Sequence, residues 1–289
     1  MNSTHNQSSR WQGQPRPVLV TGASSGIGRA AALMLRERGY RVFASARDPG
    51  DVTALNADGF EGVKLDLSSS RSVRRAADSV LSATDGRLYG LFNNAAYGQP
   101  GAVEDLSRKA LSAQFEVNLF GTVELTNSIL PAMRAAGEGR IVMNSSVLGF
   151  VAMPYRGAYN ASKYALEGIT DTLRLELAGS GVFVSLIEPG PIASRFRVNA
   201  QAAFDRQVDV AASIHREKYR EMGEKRLSGA GAAARFTLPP EAVAKKLIRA
   251  LEARRPKPRY YVTLPTHLFG VLKRVLTDRM LDRILRFAG

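Results

Sequence analysis

The sequence contains no cysteine, which excludes disulfides, thiolate nucleophiles and cysteine-based zinc sites together. A cysteine-free chain fits a reducing compartment. Histidine is nearly as scarce: His5, His215 and His267 stand far apart and form no HExxH-type pair, so a metal site is not expected. No apolar run reaches the about 20 residues that span a bilayer. Residues 1–16 are polar, rich in Ser, Asn and Gln, and lack the apolar core of a signal peptide. They read as a frayed tail before the first strand, and the chain reads as cytoplasmic. Acidic residues are the minority, 26 against 40 Lys and Arg, for a net charge of +14. From residue 243 onward, twelve Lys and Arg face only Glu252, Asp278 and Asp282. Such an excess points to an anionic partner: a phosphorylated cofactor, a membrane surface or nucleic acid. No helix-turn-helix, zinc-finger or RNA-binding signature supports nucleic acid.

What is present is the balance of a folded domain, with 45% hydrophobic and 23% charged residues. The chain alternates between strand and helix signals. Residues 18–20 form a short apolar run, glycines follow at once, residues 29–38 are rich in Ala and Leu, and residues 41–46 alternate. Strand, glycine turn, helix and strand thus occupy one βαβ unit. The rhythm continues with strands at residues 62–67, 90–93, 140–144, 182–188 and 260–262. Helices are read at 70–83, 108–136 (one or two), 159–177 and 241–253. This alternation predicts an α/β fold, a doubly wound parallel sheet of about seven strands with helices on both faces. Residues 17–264 form the expected single domain. Residues 194–236 break the rhythm and read as a lid or substrate loop.

The glycine turn reads Thr21-Gly22-Ala23-Ser24-Ser25-Gly26-Ile27-Gly28. Glycine there permits a tight turn and close approach of a phosphate. The helix N-terminus that follows offers free N–H groups to a pyrophosphate. The spacing is G-x-x-x-G-x-G. It resembles the T-G-x-x-x-G-x-G pattern of the short-chain dehydrogenase/reductase family, which implies a Rossmann-type sheet binding NAD or NADP. At the end of the second strand stands Ala46-Arg47-Asp48. An acid there would accept from a ribose 2′-OH, whereas an arginine would pair with a 2′-phosphate. Members with a basic residue at the position of Arg47 prefer NADP, so NADP(H) is expected over NAD(H). The alternative has Arg47 in solvent and Asp48 reaching the ribose. Asp66-Leu67 matches the family's adenine contact. Asn93-Asn94-Ala95-Ala96 resembles its N-N-A-G segment. Pro189-Gly190-Pro191-Ile192-Ala193-Ser194 resembles P-G-x-x-x-T, which lies at the nicotinamide end.

Tyr159-Asn160-Ala161-Ser162-Lys163 places Tyr and Lys at i and i+4, one helical turn apart. An ammonium near a phenol favours the phenolate and lowers its pKa, which would suit the Tyr for proton transfer near neutral pH. The family uses Asn, Ser, Tyr and Lys together, and the resemblance carries these roles to Asn118, Ser146, Tyr159 and Lys163. Ser145 is the rival to Ser146. By that resemblance, Ser146 and Tyr159 hold the substrate oxygen and Tyr159 transfers the proton. Lys163 lowers the Tyr159 pKa and holds the cofactor ribose, and Asn118 keeps a water that restores the proton.

The resemblance covers residues 18–196. Tyr164-Ala165-Leu166-Glu167-Gly168 is similar to the 17β-hydroxysteroid and retinol dehydrogenase-like group, and Ala234-Arg235-Phe236-Thr237 to its bacterial members. It implies reduction of a lipophilic aldehyde or ketone and a homo-oligomer. The other reading is a non-catalytic NADP-binding protein, against which the presence of both Tyr159 and Lys163 counts. Residues 265–289 are read as one basic amphipathic helix. Leu268, Leu272, Leu276, Met280 and Ile284 recur at i+4, accompanied by Lys273, Arg274, Arg279, Arg283 and Arg286. Such a helix packs on the protein or a second subunit, or lies on an anionic membrane.

Overall fold

Short apolar runs followed by glycine or polar residues become the strands of one sheet, and the longer periodic segments become its covering helices. The computed structural model describes residues 14–227 and 236–286. The order is β1 (Pro17–Val20), α1 (Gly26–Glu37), β2 (Arg41–Ala46), α2 (Pro49–Ala57), β3 (Glu61–Lys64), α3 (Ser70–Ala83) and β4 (Gly90–Asn93). Then come α4 (Arg108–Phe115), α5 (Gly121–Ala136), β5 (Gly139–Asn144), α6 (Gly157–Glu176) and β6 (Val182–Glu188). The chain ends with α7 (Phe196–Gln207), α8 (Arg216–Leu227), α9 (Glu241–Glu252), β7 (Arg259–Tyr261), α10 (Leu264–Val275) and α11 (Asp278–Leu285).

The seven strands are parallel in the order β3-β2-β1-β4-β5-β6-β7. Alternation along each strand divides the core into two layers. Val18, Val20, Phe92 and Val142 face α1 and α9 through Ala31, Leu35, Val243, Leu247 and Leu251. Leu19, Leu91, Ile141 and Met143 face α3, α5 and α6 through Val73, Val80, Leu125, Ile129 and Leu166. The strand order reverses between β1 and β4. That is where a doubly wound sheet opens a crevice beyond its strand ends.

Several expectations are corrected. α2 is a helix that the sequence pattern did not announce. Asp48 caps it, accepting from Gly50 N at 2.8 Å, with Pro49 at its first position, and only Leu55 is buried. β3 stops at Lys64, although Leu65 and Leu67 stay buried beyond it. The expected tail ends sooner than residue 16: the Arg16 carbonyl accepts from Arg41 N at 3.1 Å, and its guanidinium lies 4.7 Å from the Tyr89 ring centroid. The rest of that tail, residues 1–13, lies outside the described residues. The loop segment 194–236 holds α7 and α8; its residues 228–235, which include Ala234 and Arg235, lie outside the described residues.

The expected single C-terminal helix is two. Leu276 and Thr277 are extended and separate α10 from α11. Phe269 on α10 and Leu281 and Leu285 on α11 join one buried cluster with Val147 and Val151. In a straight helix, Phe269 and Leu281 would point about 120° apart, at roughly 100° per residue. The break turns both toward the same cluster. Among the described residues, no helix is long and apolar enough to cross a membrane.

Three elements meet at one arginine. Arg259 on β7 holds Glu188 of β6 (3.1 Å) and both Glu167 (3.0 Å) and Asp171 (2.7 Å) of α6. Glu167 Oε1 and Glu188 Oε2 are buried without a donor. The two carboxyls share the Arg259 guanidinium, and burial raises both above the usual carboxylate range. Burial, then the charge of Glu167, pushes Glu188 up to about 9. The folded chain therefore keeps a proton that an unfolded Glu releases above about pH 4.3. This contribution to stability is complete below that pH and is lost as the pH rises toward 9. Glu188→Gln, which carries its own donor, is expected to flatten that decline by up to about 1.4 kcal/mol per pH unit. Denaturant titrations from pH 5 to pH 9 on both proteins will measure it.

Candidate active site

The glycine turn leaves β1 at its C-terminal end and is bound to the loop after β4. Gly22 has φ +67°, and a Cβ there would come within 3.0 Å of Ala95. Thr21 is fully buried, and its Oγ1 accepts from Asn94 N (2.8 Å) and Ala95 N (2.9 Å). The Asn94 amide donates back to the Thr21 carbonyl at 2.9 Å. Ser25 precedes α1, but its side chain makes no capping hydrogen bond, and no acidic residue stands in the first turn. The N-terminus of α1, preceded by Ser24 and Ser25 and opening with Gly26, Ile27 and Gly28, thus leaves its N–H groups with neither a capping side chain nor an acidic residue in the first turn. This is the donor set a pyrophosphate would use, so the residues present fit a dinucleotide.

The outer part of the crevice holds the remaining expected cofactor residues. Arg47 is exposed just past β2. Asp48 is engaged as the cap of α2. Asp66 Oδ1 accepts from the amide and hydroxyl of Ser68, at 3.0 and 2.7 Å, and Leu67 beside it is buried. On the other side, the Pro189 carbonyl accepts from Val147 N at 2.8 Å. Gly190 is required by close approach: a Cβ there would lie 2.1 Å from Thr263 Oγ1 and 3.0 Å from Thr266 Oγ1. Ile192 bridges Leu238, and Ser194 lies against Gly26 of the glycine turn.

The expected tetrad lies at the same edge of the sheet. Ser146 follows β5, its Oγ accepts from Leu148 N at 3.1 Å, and it lies near enough to Tyr159 to oppose part of the effect of burial on that hydroxyl. Lys163 Nζ is buried and donates to the Asn144 carbonyl at 2.7 Å, 5.8 Å from the Tyr159 ring centroid. Asn144 in turn donates to Asn94 at 2.9 Å. Asn118 sits in a π turn, residues Glu116–Phe120, between α4 and α5. Its amide donates to the Tyr97 carbonyl (2.9 Å) and to Ser162 (3.1 Å), and its oxygen accepts from Tyr97 N (3.1 Å). Asn118 therefore adjoins the residue before Lys163, and no direct hydrogen bond joins it to Lys163. Ser145 turns to the other side of the chain, toward Glu167.

Burial dominates the electrostatics of the Tyr159 and Lys163 pair, first of all at the Tyr159 hydroxyl. It raises the Tyr159 pKa to about 12, against smaller opposing effects of Ser146 and the charge of Arg156. Burial also lowers Lys163 to about 8, opposed by Glu167. Desolvation outweighs attraction because both groups are buried and the ammonium is directed at the Asn144 carbonyl. Tyr159 is a neutral phenol throughout the physiological range, the form that donates a proton.

Sequence reading quoted Thr21 in the glycine turn without giving it a role, gave none to Asn144, and missed Phe196. The first two lie within or beside the motifs, as linkers between them. Phe196, at the start of α7, packs edge-on to Tyr159 with centroids 5.3 Å apart and approaches Gly98. The arm of α7 and α8 is fastened at its far end. Tyr219 and Ser213 donate to Asp105, Ala102 N donates to Tyr219 at 2.8 Å, and His215 meets Glu104 at 2.6 Å.

Comparison with known proteins agrees with this geometry. Residues 16–204 match the short chain dehydrogenase family model. The uncharacterized oxidoreductase YbbO of Escherichia coli (strain K12) is 48% identical over 271 residues, 94% of each chain. The NADPH-dependent 3-dehydrocapnine reductase of Ornithobacterium rhinotracheale is 32% identical, covering 93% of this chain and 95% of its own. A short-chain dehydrogenase/reductase from Burkholderia phymatum in complex with NAD superposes with a TM-score of 0.75 at 28% identity, covering 95% and 96% of the two chains. With the turn, the parallel sheet and the Ser-Tyr-Lys grouping in place, the chain belongs to the short-chain dehydrogenase/reductase family.

Proposed function

We propose that the protein is an NADP(H)-dependent reductase of lipophilic aldehydes or ketones. The observation that carries this reading is that the buried Ser146, Tyr159 and Lys163 stand together at the same sheet edge as the uncapped N-terminus of α1. Ser146 and Tyr159 form a two-donor cradle for a carbonyl oxygen, and Tyr159 gives its proton to the alkoxide as it forms. The bound dinucleotide supplies the reducing equivalent. Lys163 is poised to hold a ribose hydroxyl and to return a proton to Tyr159. Asn118 fixes the backbone around Tyr97 and Ser162 on the side of the proposed proton path. The aromatic cover of Phe196 favours an apolar substrate over a charged one.

The preference for NADP(H) rests on Arg47. It is the exposed cation at the end of β2, and the rival Asp48 is occupied in capping α2. The NADPH-dependent relative supports it. The exposed Phe120 and Ile169, which share a surface hollow with Leu119 and Val123, support pairing of two copies across α5 and α6.

Initial rates with NADPH and NADH against retinal, long-chain aldehydes and keto-steroids test the reaction. Tyr159→Phe is expected to lower kcat by about 10²–10⁴-fold while cofactor binding persists. Wild-type turnover in that variant would remove the assignment, and NADPH binding with no turnover of any carbonyl would favour a cofactor-binding module. Arg47→Asp is expected to raise the NADPH KM about 10–100-fold, the value of a charge-assisted hydrogen bond, and to spare NADH. Ile169→Glu is expected to shift the protein toward monomer in sedimentation velocity runs.

A further inference from the structure

The C-terminal helix pair carries two apolar faces, and only one is used internally. The inner face, Phe269, Leu281 and Leu285, is buried against Val147 and Val151. On the outer face Leu264, Leu268, Val271 and Val275 are 66%, 52%, 59% and 69% exposed. Their spacing of four, three and four residues places them in one stripe along α10. On α11, Met280 and Ile284 are exposed as well.

The surroundings of this stripe are basic. α10, α11 and the residue after them hold Lys273, Arg274, Arg279, Arg283 and Arg286 against Asp278 and Asp282. Lys273 is spoken for, bonded to the Phe150 carbonyl and stacked over Tyr164. Arg274, Arg279 and Arg283 are exposed and form no salt bridge among the described residues. We propose that this face of α10 and α11 docks on an anionic lipid bilayer. The aliphatic stripe enters the headgroup boundary and the arginines meet lipid phosphates.

Charge decides between a bilayer and a second copy of the chain. A two-fold contact would set this basic rim against itself, whereas an anionic surface complements it. α10 spans only about 18 Å at 1.5 Å per residue, so it lies in the surface plane. The docked face is joined to the candidate site at two points. Thr263 and Thr266 press on Gly190, and Phe269 packs beside the segment that follows Ser146. Docking would therefore hold the crevice near the pool of a membrane-dissolved carbonyl. This last step rests on the proposed reductase function; the docking itself does not.

The test is flotation of the full-length protein, without substrate, on vesicles of phosphatidylcholine with and without phosphatidylglycerol. Wild type is expected to float with the anionic vesicles alone and to be released by high salt. A double variant, Leu268→Ser with Val271→Ser, is expected to lose at least about tenfold in partitioning, from the loss of buried aliphatic groups at ~0.8 kcal/mol per CH₂. Its turnover of a water-soluble aldehyde should be unchanged. Arg279→Glu with Arg283→Glu should lose binding without removing any apolar residue. Failure of wild type to float with anionic vesicles would overturn the proposal, as would equal flotation of both variants. A fall in oligomer size in the Leu268/Val271 variant with flotation unchanged would also overturn it, by assigning the face to a second subunit.

Discussion

A chain of buried hydrogen bonds ties the two halves of the sheet together at their reversal point, and the candidate site depends on it. Thr21 at the end of β1 accepts from Asn94 and Ala95 beyond β4; Asn94 accepts from Asn144 at the end of β5; and the Asn144 carbonyl accepts from Lys163 on α6. Each link crosses from one element to the next. The glycine turn and the lysine are therefore held in one frame, although 141 positions separate Gly22 from Lys163. Truncating a member would strand its neighbours' buried polar atoms, which costs more than the bond itself contributes.

The same burial sets the chemistry. Tyr159 and Lys163 are both withdrawn from water, and both move toward their neutral forms. The raised pKa keeps the proton on the Tyr159 hydroxyl, where a forming alkoxide, the stronger base, can take it up. The Glu167, Glu188 and Arg259 cluster works by opposite charge and locks α6 against β6 and β7. The helix that carries Tyr159 and Lys163 is thus anchored by polar contacts at successive turns.

Most of the sheet was legible because buried parallel strands are short apolar runs ending in glycine or polar residues, and those ends carry the motifs. Gly22 and Ser146 were read from such ends, Tyr159 and Lys163 from their i, i+4 spacing on a helix, and the structure brings these four residues to one edge of the sheet. α2 was not legible because a helix that buries one residue, Leu55, has no apolar stripe. The break at Leu276 and Thr277 was hidden for a different reason: the i+4 leucines fit a straight helix equally well, and only the position of Val147 and Val151 decides. Phe196 could not be found because its role comes from where an irregular arm folds back. The raised pKa of Tyr159 also lay beyond sequence, since it depends on how much water reaches the hydroxyl.

The packing of α1 has a consequence for biosynthesis. Its apolar face, Ala31 and Leu35, is covered by Val243, Leu247 and Leu251 of α9, and Arg38 pairs with Glu252 at 2.7 Å, 214 positions along the chain. At roughly 5–20 residues per second, a ribosome takes tens of seconds to deliver that cover. Until then, the part of that face which α9 covers in the folded chain stays open. Parallel pairing of distant strands is slow for the same reason of loop closure. A nascent chain with such an interval would gain from chaperones that hold apolar surface, and it is α9 that completes the layer α1 began.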